Sequence, residues 1–133
     1  VFGNFFNKLK NEEVTLATLD VVKYEILKGS KDNQKYEEKE KQINAIVEDV
    51  VLSNPIDSEK LIYKLIKEYR IDGASLSVVD LYIGSTLMKY KQNIFLMTRD
   101  TTDFMQNIFD LKFIINASHN KGIFTYGIYQ YSK

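Results

Sequence analysis

Four acidic residues raise the first chemical question: Glu25, Asp80, Asp100 and Asp103. Asp100 and Asp103 follow directly on the apolar run Ile94–Thr98, Asp80 opens the stretch that precedes this run, and Glu25 follows a β-branched segment. In open parallel sheets, function gathers at the carboxyl ends of the strands, so these side chains are expected near one rim. The chain has one His and no Cys. A site built from these residues is therefore a hard oxygen site, which prefers Mg²⁺ or Mn²⁺ over Zn²⁺. Carboxylates holding such ions activate a water and stabilise charge at a phosphoryl centre. Thr98 could orient a water or a ligand carboxylate, and Arg99 could contact a phosphate.

Each residue also has a plainer reading. Asp80 and Asp100 suit helix N-caps, Asp103 suits a first turn favoured by the helix dipole, and Glu25 suits an exposed helix face. Thr98 at a strand end is ordinarily structural, Arg99 ordinarily solvated, and the lone His119 ordinarily a loop surface residue. Lys8, Lys10, Lys23, Lys28, Lys89, Lys91 and Arg99 would make a basic rim if they faced one substrate, and scattered solvated cations if they did not. Phe124, Tyr126, Tyr129 and Tyr131 could stack bases, but packing of an edge strand explains them equally.

Composition narrows the classes. The 133 residues suffice for one domain with one core, and 44% hydrophobic with 27% charged residues excludes a disordered chain. Lys plus Arg equals Asp plus Glu at 18 each, so binding of nucleic acid must rest on local patches rather than bulk charge. Without Cys there are no disulfides, thiolate metal sites or cysteine nucleophiles, and a reducing, cytoplasmic setting is expected. No apolar run has the length of a membrane span, and no signal-peptide pattern opens the chain.

The elements that must position these residues follow from periodicity. Phe2, Phe5, Phe6 and Leu9 mark one helical face, and Glu13–Leu19 reads as a strand. Asp20 is placed to cap a helix that closes at Gly29. Ile43, Ile46, Val47, Val50 and Val51 keep a helical period through Leu52, after the mixed charge run Lys35–Lys41. Asn54-Pro55 breaks it, and Asp57 or Ser58 is expected to cap a helix burying Leu61, Ile62, Leu65, Ile66 and Tyr69. Arg70–Ala74 reads as a loop. A helix over about Ser77–Lys89 carries an unusually small middle, Gly84-Ser85-Thr86, which implies close packing. Ile94–Thr98 and Phe113–Asn116 read as strands buried on both faces, Asp100–Phe109 as a short helix, and Ile123–Tyr131 as an edge strand or hairpin arm. This alternation predicts an α/β fold, a three-layer α/β/α sandwich on a mostly parallel sheet.

The stretch Ser75–Phe104, SLSVVDLYIGSTLMKYKQNIFLMTRDTTDF, resembles the C-terminal half of a PIN domain. That family shows an Asp opening a small-residue helix, here Asp80 before Ile83-Gly84-Ser85. A hydrophobic strand and the pattern T-[RN]-[DN]-x-x-[DE]-F follow, here Thr98-Arg99-Asp100-Thr101-Thr102-Asp103-Phe104. Its earlier acidic position resembles Glu25 in Glu25-Ile26-Leu27-Lys28-Gly29, and the likeness spans about residues 13 to 116. The resemblance implies a Mg²⁺- or Mn²⁺-dependent endoribonuclease. Glu25, Asp80, Asp100 and Asp103 would be its metal ligands, with Glu25, Asp80 and Asp100 catalytic. VapC-like toxin members imply further partners: RNA, an antitoxin protein that blocks the acidic pocket, and a second copy packed through a face such as Phe2–Leu9.

The family's first strand ends in an Asp within D-[TS]-[NS], and no such motif occurs here. This departure implies either a chain that begins inside the domain or one without that strand. It also keeps open a catalytically impaired interaction module on the same fold, binding RNA or protein. In the family the strand is central, so another segment is expected to occupy its place, with Ile123–Tyr131 as a candidate.

Overall fold

The computed structural model describes residues 14–133 apart from 101, 105 and 106, and omits the His119 side chain. The expected Phe2–Leu9 helix, and Lys8 and Lys10 of the basic rim, lie outside the described residues, as do Thr101 and the surface reading of His119. The fold is mixed α/β, with four described α-helices and two small sheets. The chain divides into two units, Val1–Ser53 and Asn54–Lys133.

In the first unit, β1 (Ala17–Leu19) leads into α1 (Asp20–Leu27), then α2 (Asn33–Ile46) and β2 (Asp49–Val51). The two strands pair in parallel, Thr18 opposite Val50. The strand expected over Glu13–Leu19 is thus shorter in the described residues. The helix expected to run through Leu52 stops at Ile46, because Val50 and Val51 are β-branched and gain a ladder with β1. Asp20 is the first residue of α1 rather than its cap, and it is buried. One carboxylate oxygen accepts from the Val21 N–H at 2.8 Å; the other accepts from the Ser53 N–H at 3.1 Å and the Ser53 hydroxyl at 3.0 Å. Asp20 therefore pins the chain leaving β2 to the end of β1. Gly29, at φ 72°, closes α1 as the sequence predicts.

In the second unit, α3 (Pro55–Tyr69) is capped by Asn54, whose side chain accepts from the N–H groups of Ile56 and Asp57. Pro55 fits the first helical turn, where its missing N–H costs nothing, so the cap lies upstream of Asp57 and Ser58. Arg70–Ser75 forms a 3₁₀ turn, and α4 (Val78–Tyr90) follows. β3 (Leu96–Thr98), β4 (Asp110–His119) and β5 (Gly122–Gln130) form one antiparallel sheet in the order β3-β5-β4. The sheet that carries Thr98 is therefore antiparallel, not parallel as expected. β5 is its central strand rather than an edge. Phe113 and Ile114, expected to be buried on both faces, are 60% and 63% exposed in the edge strand β4. Within the expected Asp100–Phe109 helix, the described residues form bends and turns.

The core of this unit is aromatic. Phe109 is fully buried; its ring centroid lies 5.7 Å from that of Phe104, 5.9 Å from Tyr131 and 6.5 Å from Tyr69. Leu65, Leu87 and Met88 close the cluster from α3 and α4. The small middle of α4 has the expected cause. A Cβ on Gly84 would stand 2.4 Å from Leu65 Cδ2 and 3.3 Å from Phe109 Cζ. α4 can approach α3 at this point only without a side chain.

Two stability predictions follow. Gly84→Val forces branched atoms into filled space and is expected to lower the unfolding free energy of the second unit by about 1–3 kcal/mol, read from denaturant midpoints. Asp20→Ala leaves the part-buried Ser53 N–H without its acceptor and is expected to destabilise the first unit by about 1–2 kcal/mol, read as faster amide exchange in β1 and β2.

Candidate functional site

Three of the four predicted acids belong to the second unit. Ser77 and Asp80 form a reciprocal capping box at the start of α4. The Ser77 N–H donates to Asp80 Oδ2 at 3.0 Å, and the Asp80 N–H donates to Ser77 Oγ at 3.1 Å. The capping reading of Asp80 is therefore present, from the third helical position rather than the cap itself. One of its oxygens is engaged and the residue is only partly buried.

β3 ends at Thr98, opposite Gly127 of β5, and the chain then turns sharply. The Thr98 hydroxyl accepts from the Asp100 N–H at 3.0 Å, which fixes the exit from the strand. Asp100 Oδ1 accepts from the N–H groups of Thr102 and Asp103, each at 3.1 Å. The Tyr69 hydroxyl donates to the Asp103 carbonyl, so α3 holds the far side of the same turn. The Asp100 cap expected from the sequence is real, but it closes a turn.

Closing that turn brings two carboxyl groups together. Their mutual hydrogen bond raises Asp103 first, with burial, the charge of Asp100 and the charge of Asp80 adding to it, from 3.8 to about 6. Burial acts upward on Asp100 too, but the hydrogen bonds it receives from the Asp103 N–H, the Asp103 carboxyl and the Thr102 N–H outweigh it and hold Asp100 below its ordinary value. Below about pH 6 the pair therefore holds one proton, on Asp103, with the negative charge resting on Asp100. Tyr129, packed beneath, is raised by burial and then by Asp100.

The Arg99 guanidinium lies 3.9 Å from the centroid of the Phe124 ring. One face of the Phe124 ring thus carries a cation. Tyr129 and Tyr131 are buried in the core, which removes them as base-stacking candidates. Glu25 belongs to the first unit, on exposed α1, where its carboxylate meets Lys28 Nζ at 3.3 Å. Lys89, in the second unit, pairs with Asp57 at 3.7 Å and approaches the Tyr90 ring. The sequence reading missed the part of Tyr69 in this turn. Its position four residues after Leu65, on the buried stripe of α3, was the available signal.

The donor set is all oxygen, the chemistry that Mg²⁺ or Mn²⁺ takes. Among the described residues, however, no three acidic or imidazole side chains converge closely enough to hold one ion. The geometry provides a carboxyl pair with a third charge acting on it. A scan against protein-family models, a search of curated proteins and a search of solved structures each found no match to this chain. No helix among the described residues is long and apolar enough to cross a membrane.

The carboxyl pair predicts a pH signature. The pKa of Asp103 is raised on folding, so its contribution is fully present below its unfolded value of 3.8 and is lost as pH rises through about 6. Asp103→Asn removes the ionisation. Melting temperatures measured from about pH 4 to about pH 7 are expected to fall for the wild type relative to Asp103→Asn.

Proposed function

We propose that this chain is a divalent-metal-dependent hydrolase of RNA phosphodiester bonds, on a PIN-like three-layer architecture. The observation that carries the reading is the turn after β3, where Asp100 accepts the Thr102 and Asp103 N–H groups at 3.1 Å each and the charges of Asp100 and Asp80 both raise the Asp103 carboxyl. Like charges gathered at a strand end are costly unless a cation joins them. Asp100, Asp103 and Asp80 of the second unit would hold the ion; the role of Glu25 as a ligand rests on the resemblance alone. When bound, Mg²⁺ or Mn²⁺ supplies a water of lowered pKa and offsets charge on the phosphate.

The chain's own groups supply the rest. Arg99, exposed and placed over the Phe124 ring at 3.9 Å, would contact a phosphate oxygen. Thr98 and Tyr69 fix the turn and so the spacing of the carboxylates. The toxin role, an antitoxin partner, a second copy and a cytoplasmic setting belong to the same proposal and rest on the resemblance alone.

A second reading is favoured by one specific observation, the lack of a three-ligand group among the described residues. It is an interaction module of the same fold that binds RNA or protein without cleaving it.

Asp80→Asn separates the two. Asn retains an acceptor for the Ser77 N–H, so the capping box and the fold are expected to persist. Cleavage of a single-stranded RNA in Mn²⁺ is expected to fall by about 100-fold, the scale of removing one electrostatic stabiliser of a transition state. Mn²⁺ is also expected to raise the wild-type melting temperature by mass action. A wild type that neither cleaves nor responds to Mn²⁺ leaves the interaction module; undiminished cleavage by Asp80→Asn contradicts the proposed site.

A further inference from the structure

The first unit contains a groove of about 620 Å³ between the end of α1 and the start of α2. Its walls carry Tyr24 and Tyr36, and its polar edge carries Lys28, Ser30, Lys31 and Asn33. Residues 14–53 include two aromatic side chains, these two tyrosines. Both are largely in water, Tyr24 60% and Tyr36 41% exposed, rather than in a core. An aromatic ring excluded from the core forgoes a large burial gain, and two such rings in one groove point to a planar ligand.

The groove is fixed by its own bonds. Gly29 turns the chain at φ 72°, the Ser30 hydroxyl donates to the Leu27 carbonyl at 2.6 Å, and Lys39 Nζ reaches across from α2 to the Ile26 carbonyl at 3.2 Å. The Tyr36 hydroxyl donates to Glu40 at 3.2 Å, which orients that ring. The lining carries two ammonium groups, of which Lys28 also meets Glu25 at 3.3 Å beside the groove. Lys28 and Lys31 face one lining carboxylate, Asp32, which is engaged as the α2 cap through the Lys35 N–H. Ring faces beside ammonium groups match a nucleotide, which offers a base to stack and a phosphate to pair. An acidic peptide would use the lysines and leave the rings unsatisfied. The volume lies within the range of ligand-sized clefts, about 300–1,000 Å³.

We infer that this groove is a binding site for single-stranded RNA, with bases stacked on Tyr24 and Tyr36 and phosphates at Lys28 and Lys31. The inference rests on the hydrolase reading for its link to function: Lys28 touches Glu25, so a strand held here runs past that proposed ligand. Its binding chemistry stands by itself.

The test uses the full chain, a labelled single-stranded oligoribonucleotide and fluorescence anisotropy in EDTA, so that no cleavage intervenes. Tyr24→Ala and Tyr36→Ala are each expected to weaken binding by about 5- to 100-fold, the range for losing one stacked base. Tyr24→Phe retains a ring face and is expected to bind like the wild type. Lys28→Gln and Lys31→Gln are expected to flatten the salt dependence. The same RNA annealed into a duplex is expected to bind weakly, because its bases are already stacked. Circular dichroism of each variant confirms that the helices persist. Wild-type affinity in both alanine variants overturns the groove, as does a wild type that binds no single strand or a duplex that binds equally well. A groove that binds while Asp80→Asn cleaves undiminished would overturn the hydrolase and leave this inference standing.

Discussion

Asp100 closes the turn after β3 by accepting two backbone N–H groups, and in doing so it sets its own charge beside the carboxyl of Asp103. The two effects oppose each other. The N–H donors stabilise a carboxylate at Asp100, while the neighbouring negative charge disfavours a second one at Asp103. The surrounding structure holds this unfavourable proximity. Thr98 fixes the strand exit, and Tyr69 secures the Asp103 carbonyl from α3. Tyr69 is in turn held by the aromatic cluster around Phe109, which depends on the missing side chain at Gly84 for the approach of α4 to α3. A turn with charged, partly exposed side chains is thus anchored in the most tightly packed part of its unit.

Local chemistry was legible in the sequence; pairing was not. The α4 helix could be read because Ser77 and Asp80 are spaced for reciprocal capping and Gly84-Ser85-Thr86 announces a close approach. The Gly29 stop was readable because few other residues tolerate its backbone angle. The second helix was read too far because Val47, Val50 and Val51 satisfy a helical period while their branched side chains equally suit a strand. The partner that decides the matter, β1, lies some thirty residues upstream. Strand direction was likewise unreadable: the continuous apolar run Ile94–Thr98 suggested burial on both faces, whereas β3 is a half-buried edge strand with Phe95 54% exposed just before it. Only the hairpin of β4 and β5 makes the sheet antiparallel.

The same distinction applies to the candidate site. Asp100 and Asp103, three residues apart across a sharp turn, could be grouped from sequence alone, and the structure brings the charge of Asp80 to bear on Asp103. Glu25 belongs to a different unit and is described there by its pairing with Lys28. The two units differ in what they present. The second offers a carboxyl pair that a hard cation would relieve, and the first offers exposed rings beside ammonium groups.

The proposed cation site requires the carboxyl groups of Asp100 and Asp103 to act together. The most direct measurement is the ¹³C titration of the Asp103 carboxyl with and without saturating Mg²⁺. The account predicts an apparent pKa of about 6 in the absence of the ion, falling toward the ordinary carboxylate range as Mg²⁺ displaces that proton. An Asp103 carboxyl that titrates identically in both conditions would contradict it.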